Sequence, residues 1–244
     1  MRKKAYLCTP NGHRKMNERH RKKRLDAWRY ALALPRSIWY NFRLLPAKQA
    51  VRLPLLVSHR TVMENLSGQL ILKVQKPRAG LVKIGFTTCQ NSNFHSERTR
   101  LNLRGTVVVE GDCSFGAGSC TEVAEGATLT LGSRFNLGPR SMLLCHKAVS
   151  IGTHGRISWD CTLMDTDQHA LVDSDGNRTN PDREVVIGSN VWIGCNSIIT
   201  KGTHIAHDCT VAAGARLAGH YDEPMTVLTG NPAAIVRRGV KREQ

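Results

Sequence analysis

No stretch of these 244 residues approaches the roughly 18 uncharged apolar positions that a membrane-spanning helix requires. The N-terminal MRKKAYLCTP is basic but lacks the apolar segment of a signal peptide. The eight cysteines, at 8, 89, 113, 120, 145, 161, 195 and 209, show no CxxC or other metal-ligand spacing. In a chain of this length they read as small core residues kept reduced in a cytoplasmic protein, and no metal site is assigned. Acidic residues are scarce at one end only. Residues 1–60 hold 16 Lys and Arg against Glu18 and Asp26, whereas residues 61–244 hold 19 against 17. The net charge of +16 therefore belongs to an N-terminal appendage. No nucleic-acid recognition motif accompanies it, which sets nucleic acid aside as a partner.

What the chain does have is a period of six. Ile187, Ile193, Ile199, Ile205, Val211 and Leu217 recur without a gap, and no large residue stands at Val191, Ser197, Thr203, Cys209 or Ala215. The interval is neither helical nor a strand alternation. It predicts an all-β solenoid, a hexapeptide parallel β-helix in which three sixes close a triangular coil and rungs 18 residues apart stack. Ile187 is expected over Ile205, Ile193 over Val211, and Ile199 over Leu217. Leu103, Val109 and Phe115 keep the interval, Leu131, Leu137 and Leu143 keep it in another phase, and Ile151, Ile157 and Leu163 return to the first. The slips between Thr121 and Leu131, and between Leu143 and Ile151, read as corner loops of unequal length. Seven to nine coils are expected between residues 62 and 222.

Three segments follow: a basic, partly helical extension and cap over 1–60, the repeat body over 61–222, and a closing segment over 223–244. Within the first, residues 35–57 interleave Trp39, Tyr40 and Phe42 with Arg36, Arg43, Lys48 and Arg52. Pro35, Pro46 and Pro54 are expected to divide this stretch into short pieces rather than one long helix. Packing across the end of the solenoid is one reading. Residues 1–57 are also a candidate peripheral contact with an anionic membrane, at its inner face.

The count of six fails at one place. Residues 164–184, MDTDQHALVDSDGNRTNPDRE, contain five Asp, one Glu, one His, two Asn and one Pro, after which Ile187 resumes in phase with Leu163. A polar excursion from a rigid scaffold is where sites are built. Asp165, Asp167 and His169 lie within five residues of one another. An imidazole beside carboxylates suits general-base catalysis, one nitrogen accepting a proton while a partner holds the other N–H.

The body resembles the hexapeptide-repeat acyltransferases, the left-handed parallel β-helix family that includes sugar and polysaccharide O-acetyltransferases. The resemblance rests on the ladder 187–217, VWIG at Val191 to Gly194, TKGT at Thr200 to Thr203, and GNPAAIVRR at Gly230 to Arg238. ISWDCTLMDTDQH, from Ile157 to His169, is similar to the approach to the active site in a subgroup common in surface-polysaccharide gene clusters. The likeness covers about residues 34–241 and is most specific in the C-terminal third. It implies a left-handed coil, a homotrimer, and acetyl-CoA lying between neighbouring prisms as co-substrate. His169 would be the base for a sugar or glycan hydroxyl, with Asp165 or Asp167 orienting it. Trp192, Gly194, Lys201 and Gly214 would line the CoA site, and Arg237 and Arg238 would meet its phosphates. A zinc-dependent hydratase like the γ-class carbonic anhydrases, and a scaffold working through its basic tail, are the alternatives on the same fold.

Overall fold

The computed structural model describes residues 11–89 and 97–243, with side chains from residue 28 onward. Residues 1–10, and the side chains of 11–27 on which the surface reading of the basic tail rests, lie outside the described residues.

Every strand of the body pairs in parallel with the strand three places along the chain, giving three sheets of nine, seven and seven strands. This is the topology of a triangular coil, with seven complete turns beginning at Leu55. The expected stacking holds: Ile187 faces Ile205, Ile193 faces Val211, and Ile199 faces Leu217. On the first face Phe115, Leu137, Ile157, Ile193, Val211 and Leu228 form one continuous column. Each is almost fully buried, and each such side chain removed from water contributes about 1.5–3 kcal/mol. The final strand, Ala233–Arg238, turns back antiparallel on Thr226–Gly230 and ends the sheet.

The phase slips are corner insertions. Leu131 stacks on Val109, 22 positions earlier, and Ile151 stacks on Leu131, 20 positions earlier. From Ile187 to Leu217 the step is 18. Between Ile151 and Ile187 the step is 36, which is one coil plus an 18-residue loop. Asn190, Asn196 and Asp208 turn corners with φ near +60°, a region that short polar side chains tolerate best among non-glycine residues.

The N-terminus corrects one expectation. Helix α1, Asn11–Leu44, runs straight through Pro35. An internal proline costs a helix about 3 kcal/mol, but contacts on both sides of it hold the segment helical. Ala33, Ser37, Tyr40 and Asn41 are buried, while Pro35 itself faces outward. Pro46 does act as expected, ending α1 and preceding the short α2, Ala47–Ala50.

These helices satisfy the open end of all three sheets. Strands β1 (Leu55–Val57), β2 (Thr61–Leu66) and β3 (Gln69–Leu72) form the first coil and would otherwise leave unpaired backbone edges. On the first face, Asn41 Nδ2 donates to Leu55 O (2.8 Å) and Asn41 Oδ1 accepts from Leu55 N (3.0 Å). Ser37 Oγ accepts from Val57 N at 2.9 Å. On the second face Arg36 Nη1 donates to Thr61 O at 3.0 Å, and on the third Gln49 Nε2 donates to Leu72 O at 3.4 Å. The cap is a set of side chains acting as strand substitutes.

Candidate functional site

The loop 164–184 leaves the corner between the second and third faces, after Thr162–Met164 and before Val185–Ile187. Three hydrogen-bonding centres organise it. Asp165 is fully buried, and its carboxylate accepts from the backbone N–H groups of His146 (2.7 Å), Lys147 (2.8 Å) and Ala148 (2.7 Å). A carboxylate is the one small side chain able to accept three such bonds at once. Asp165 is therefore a bracket between two coils, and the expectation that it orients His169 is corrected: its oxygens are taken up by backbone amides.

Asn180 is the second centre. Its Nδ2 donates to Asp167 Oδ2 (2.8 Å) and His169 O (2.9 Å), while its Oδ1 accepts from Leu171 N (2.6 Å). Lys201, from the next corner of the prism, is the third. Its Nζ donates to Asp167 Oδ2 and, at 3.0 Å, to Asn180 O. The hydrogen bond from Lys201, then the one from Asn180, holds the Asp167 carboxyl below its ordinary value. Lys201, expected in the CoA lining, is partly buried here, and its ammonium is engaged by the loop. Asp167 likewise acts through the loop, as no hydrogen bond links it to the His169 ring among the described residues.

His169 itself is exposed, its main chain pinned by Asn180 and its imidazole free of hydrogen bonds among the described residues. The loop thus presents a fixed backbone with an uncommitted ring.

The expected lining residues divide. Trp192 stands outward on the first face, 42% exposed, with Nε1 donating to Ser158 Oγ at 3.1 Å. Gly194 is explained by packing alone, since a Cβ there would lie 2.6 Å from Ala213 N on the next coil. Gly214 has φ +75° with open space around it, so its residue type follows from the turn. Arg238, expected at the phosphates, is ion-paired with Glu223 at 2.9 Å on the exposed closing strand. Arg237 is exposed on the same closing strand.

A different arginine cluster is brought together by the coil. Arg156 is the neighbour of Trp192 in register on the adjacent strand. Close to it, Arg134 Nη1 donates to His154 Nε2 (3.2 Å) and Arg242 Nη2 donates to His154 O (3.3 Å). Partial burial, then the charges of Arg134, Arg242 and Arg156, holds the His154 imidazole below its ordinary value. No carboxylate is ion-paired with these three arginines among the described residues. Guanidinium groups left without counter-charges beside an exposed indole fit a phosphate-bearing nucleotide. The sequence held no signal for this, because 134, 156 and 242 converge only through coiling. Among the described residues, no three His, Cys, Asp or Glu side chains converge as a metal-ligating group.

Residues 184–219 match the family described as bacterial transferase hexapeptide, six repeats. That segment carries hexapeptide repeats of the bacterial-transferase type. An uncharacterized 24.8 kDa protein in the cps region of Klebsiella pneumoniae is 26% identical to it over 199 residues, 82% of this chain and 86% of that one. A polysialic acid O-acetyltransferase of Escherichia coli O1:K1 / APEC is 29% identical over 119 residues, 48% of this chain and 38% of that protein. Among solved structures, the polySia-specific acetyltransferase NeuO superposes with a TM-score of 0.57 at 18% identity, covering 78% of this chain and 79% of that one. The likeness places this hexapeptide chain in the left-handed parallel β-helix fold.

Proposed function

We propose that the protein is an acetyl-CoA-dependent O-acetyltransferase acting on a sugar or glycan hydroxyl. The observation that carries this reading is His169, an uncommitted imidazole on a loop whose backbone is clamped by Asn180 and Lys201. Relatives named as acetyltransferases supply the reaction class. Bound acetyl-CoA supplies an activated acyl thioester. His169 accepts the acceptor hydroxyl proton as the oxygen attacks, because an alcohol is a poor nucleophile until its proton is removed. The same imidazolium then returns a proton to the departing sulfur. Arg134, Arg156 and Arg242 hold the phosphates, and the Trp192 indole offers a flat apolar face to the nucleotide or its pantetheine arm. Arg237 contributes charge from the rim.

Within one chain the loop leaves the corner between the second and third faces, whereas Arg134 and Arg156 sit beside the first face. Side-by-side assembly of prisms, as in a homotrimer, brings the loop of one copy to the first face of the next and completes the site.

The test is thioester consumption from acetyl-CoA across a panel of sugars and glycan intermediates. His169→Ala is expected to keep the fold and oligomeric state while losing transfer by roughly a hundredfold to ten-thousandfold. Near-full activity in that variant overturns the role of His169. Stoichiometric zinc held by histidines in the purified protein would favour the hydratase reading instead.

A further inference from the structure

The terminal cap of a solenoid normally turns a polar face to water. This one does not. α1 and α2 lie beyond the last backbone edge of every sheet, so their outer side closes the prism end and faces away from the body. That outer side exposes Trp28 (65%), Trp39 (56%), Phe42 (54%) and Val51 (64%), with Leu32 and Ile38 beside them. Trp28, Leu32, Trp39 and Phe42 recur at steps of four, seven and three, a single stripe on a helix. Exposed Arg43, Lys48 and Arg52 flank it, and no acidic residue occurs between Asp26 and Glu64.

We propose that this end face is a docking surface for an anionic phospholipid bilayer, in which the aromatic stripe enters the headgroup region and the flanking cations meet lipid phosphates. The chemistry favours lipid over a protein partner. Between Asp26 and Glu64 the charge is of one sign, and Trp with basic residues is the pairing that suits a membrane–water interface. A further 11 Lys and Arg precede Ala31 in the sequence, against Glu18 and Asp26. Among the described residues no helix is long and apolar enough to cross a membrane, so the contact is peripheral. Geometry supports it as well. If copies assemble side by side through lateral faces, all their end caps lie at the same end and form one flat multivalent surface, which multiplies weak single contacts. The inference does not rest on the acyl-transfer reading.

The test is co-sedimentation of the full chain with vesicles of phosphatidylcholine alone and of phosphatidylcholine with about one-third phosphatidylserine. Binding is expected only with the anionic vesicles. Trp39→Ser with Phe42→Ser, and separately Arg43→Glu with Lys48→Glu and Arg52→Glu, are each expected to weaken it at least about tenfold. These side chains are exposed, and an unchanged thermal midpoint would show that the fold is intact. Brominated lipid is expected to quench part of the tryptophan fluorescence of the unsubstituted protein, which needs no variant at all. His169→Ala is expected to bind vesicles as the parent does, separating docking from catalysis. Retention of the full chain in the supernatant, equal binding to neutral vesicles, or undiminished binding by the Trp39/Phe42 variant would each overturn the proposal. So would full displacement by dextran sulfate together with no quenching, since the cations would then serve a soluble polyanion.

Discussion

Lys201 donates its ammonium to the Asp167 carboxylate, joining a corner of the rigid prism to the loop that carries His169. The pair is half open to solvent on the aspartate side, so it contributes under about 1 kcal/mol to global stability. Its effect is on position. Lys201→Met is expected to leave the thermal midpoint almost unmoved, to speed hydrogen exchange in residues 168–180, and to lower kcat by roughly tenfold to a hundredfold. A variant with unchanged exchange and unchanged kcat would remove the anchor from the account.

The same pair sets a pH dependence. Its neighbours hold the Asp167 carboxyl below the ordinary carboxylate value, so the stabilising contribution is complete above about pH 4 and is lost as pH falls through the lowered value. Loop exchange corrected for intrinsic rate should therefore stay flat from neutral pH to about pH 4 and rise only below it. A rise beginning near pH 6 would mean that another group controls the loop.

Asp165 should behave in the opposite manner. Asp165→Ala leaves three buried backbone N–H groups without an acceptor, a loss of about 3 kcal/mol or more. The expected outcome is a thermal midpoint several degrees lower, with transfer activity per folded molecule falling only as far as the loop loosens. A midpoint within a degree of the parent would contradict the bracket.

Thr121 is an inward residue stacked between Leu101 and Leu143, and its Oγ1 is buried without a hydrogen-bond partner. It lines a small apolar space inside the prism with Leu101, Val109 and Phe115. Thr121→Val replaces the hydroxyl by a methyl of similar size and is expected to stabilise the fold by about 1 kcal/mol, read by denaturant unfolding. Destabilisation would show that an ordered water or an altered rotamer satisfies the hydroxyl.

Arg156 and Arg242 are proposed to bind phosphate rather than to take part in the chemical step. Arg156→Ala and Arg242→Ala are expected to raise KM for acetyl-CoA about tenfold or more each while kcat changes little. The matching change at Arg238 should be nearly silent, since Glu223 already holds that side chain. A large KM effect at Arg238 with none at Arg156 would restore the closing strand as the phosphate site.

The coil, its inward ladder and the loop at 164–184 were legible in the sequence, because burial imposes a local period and every sixth residue from Ile187 to Leu217 repeats the same constraint. His169 stood out because it interrupts that period. Other features depended on the partners that stacking brings together. Asp165 and Asp167 look alike two positions apart, yet one is spent on amides 17 to 19 residues earlier and the other on a lysine 34 residues later. The arginine cluster draws on positions 134, 156 and 242, and Pro35 sits inside a helix because Asn41 and Ser37 replace a missing strand. Hydrophobic burial is a property each residue carries along the chain, so its pattern survives in one dimension. Hydrogen-bond and charge partners are chosen by neighbours in space, and those exist only once the coil has closed.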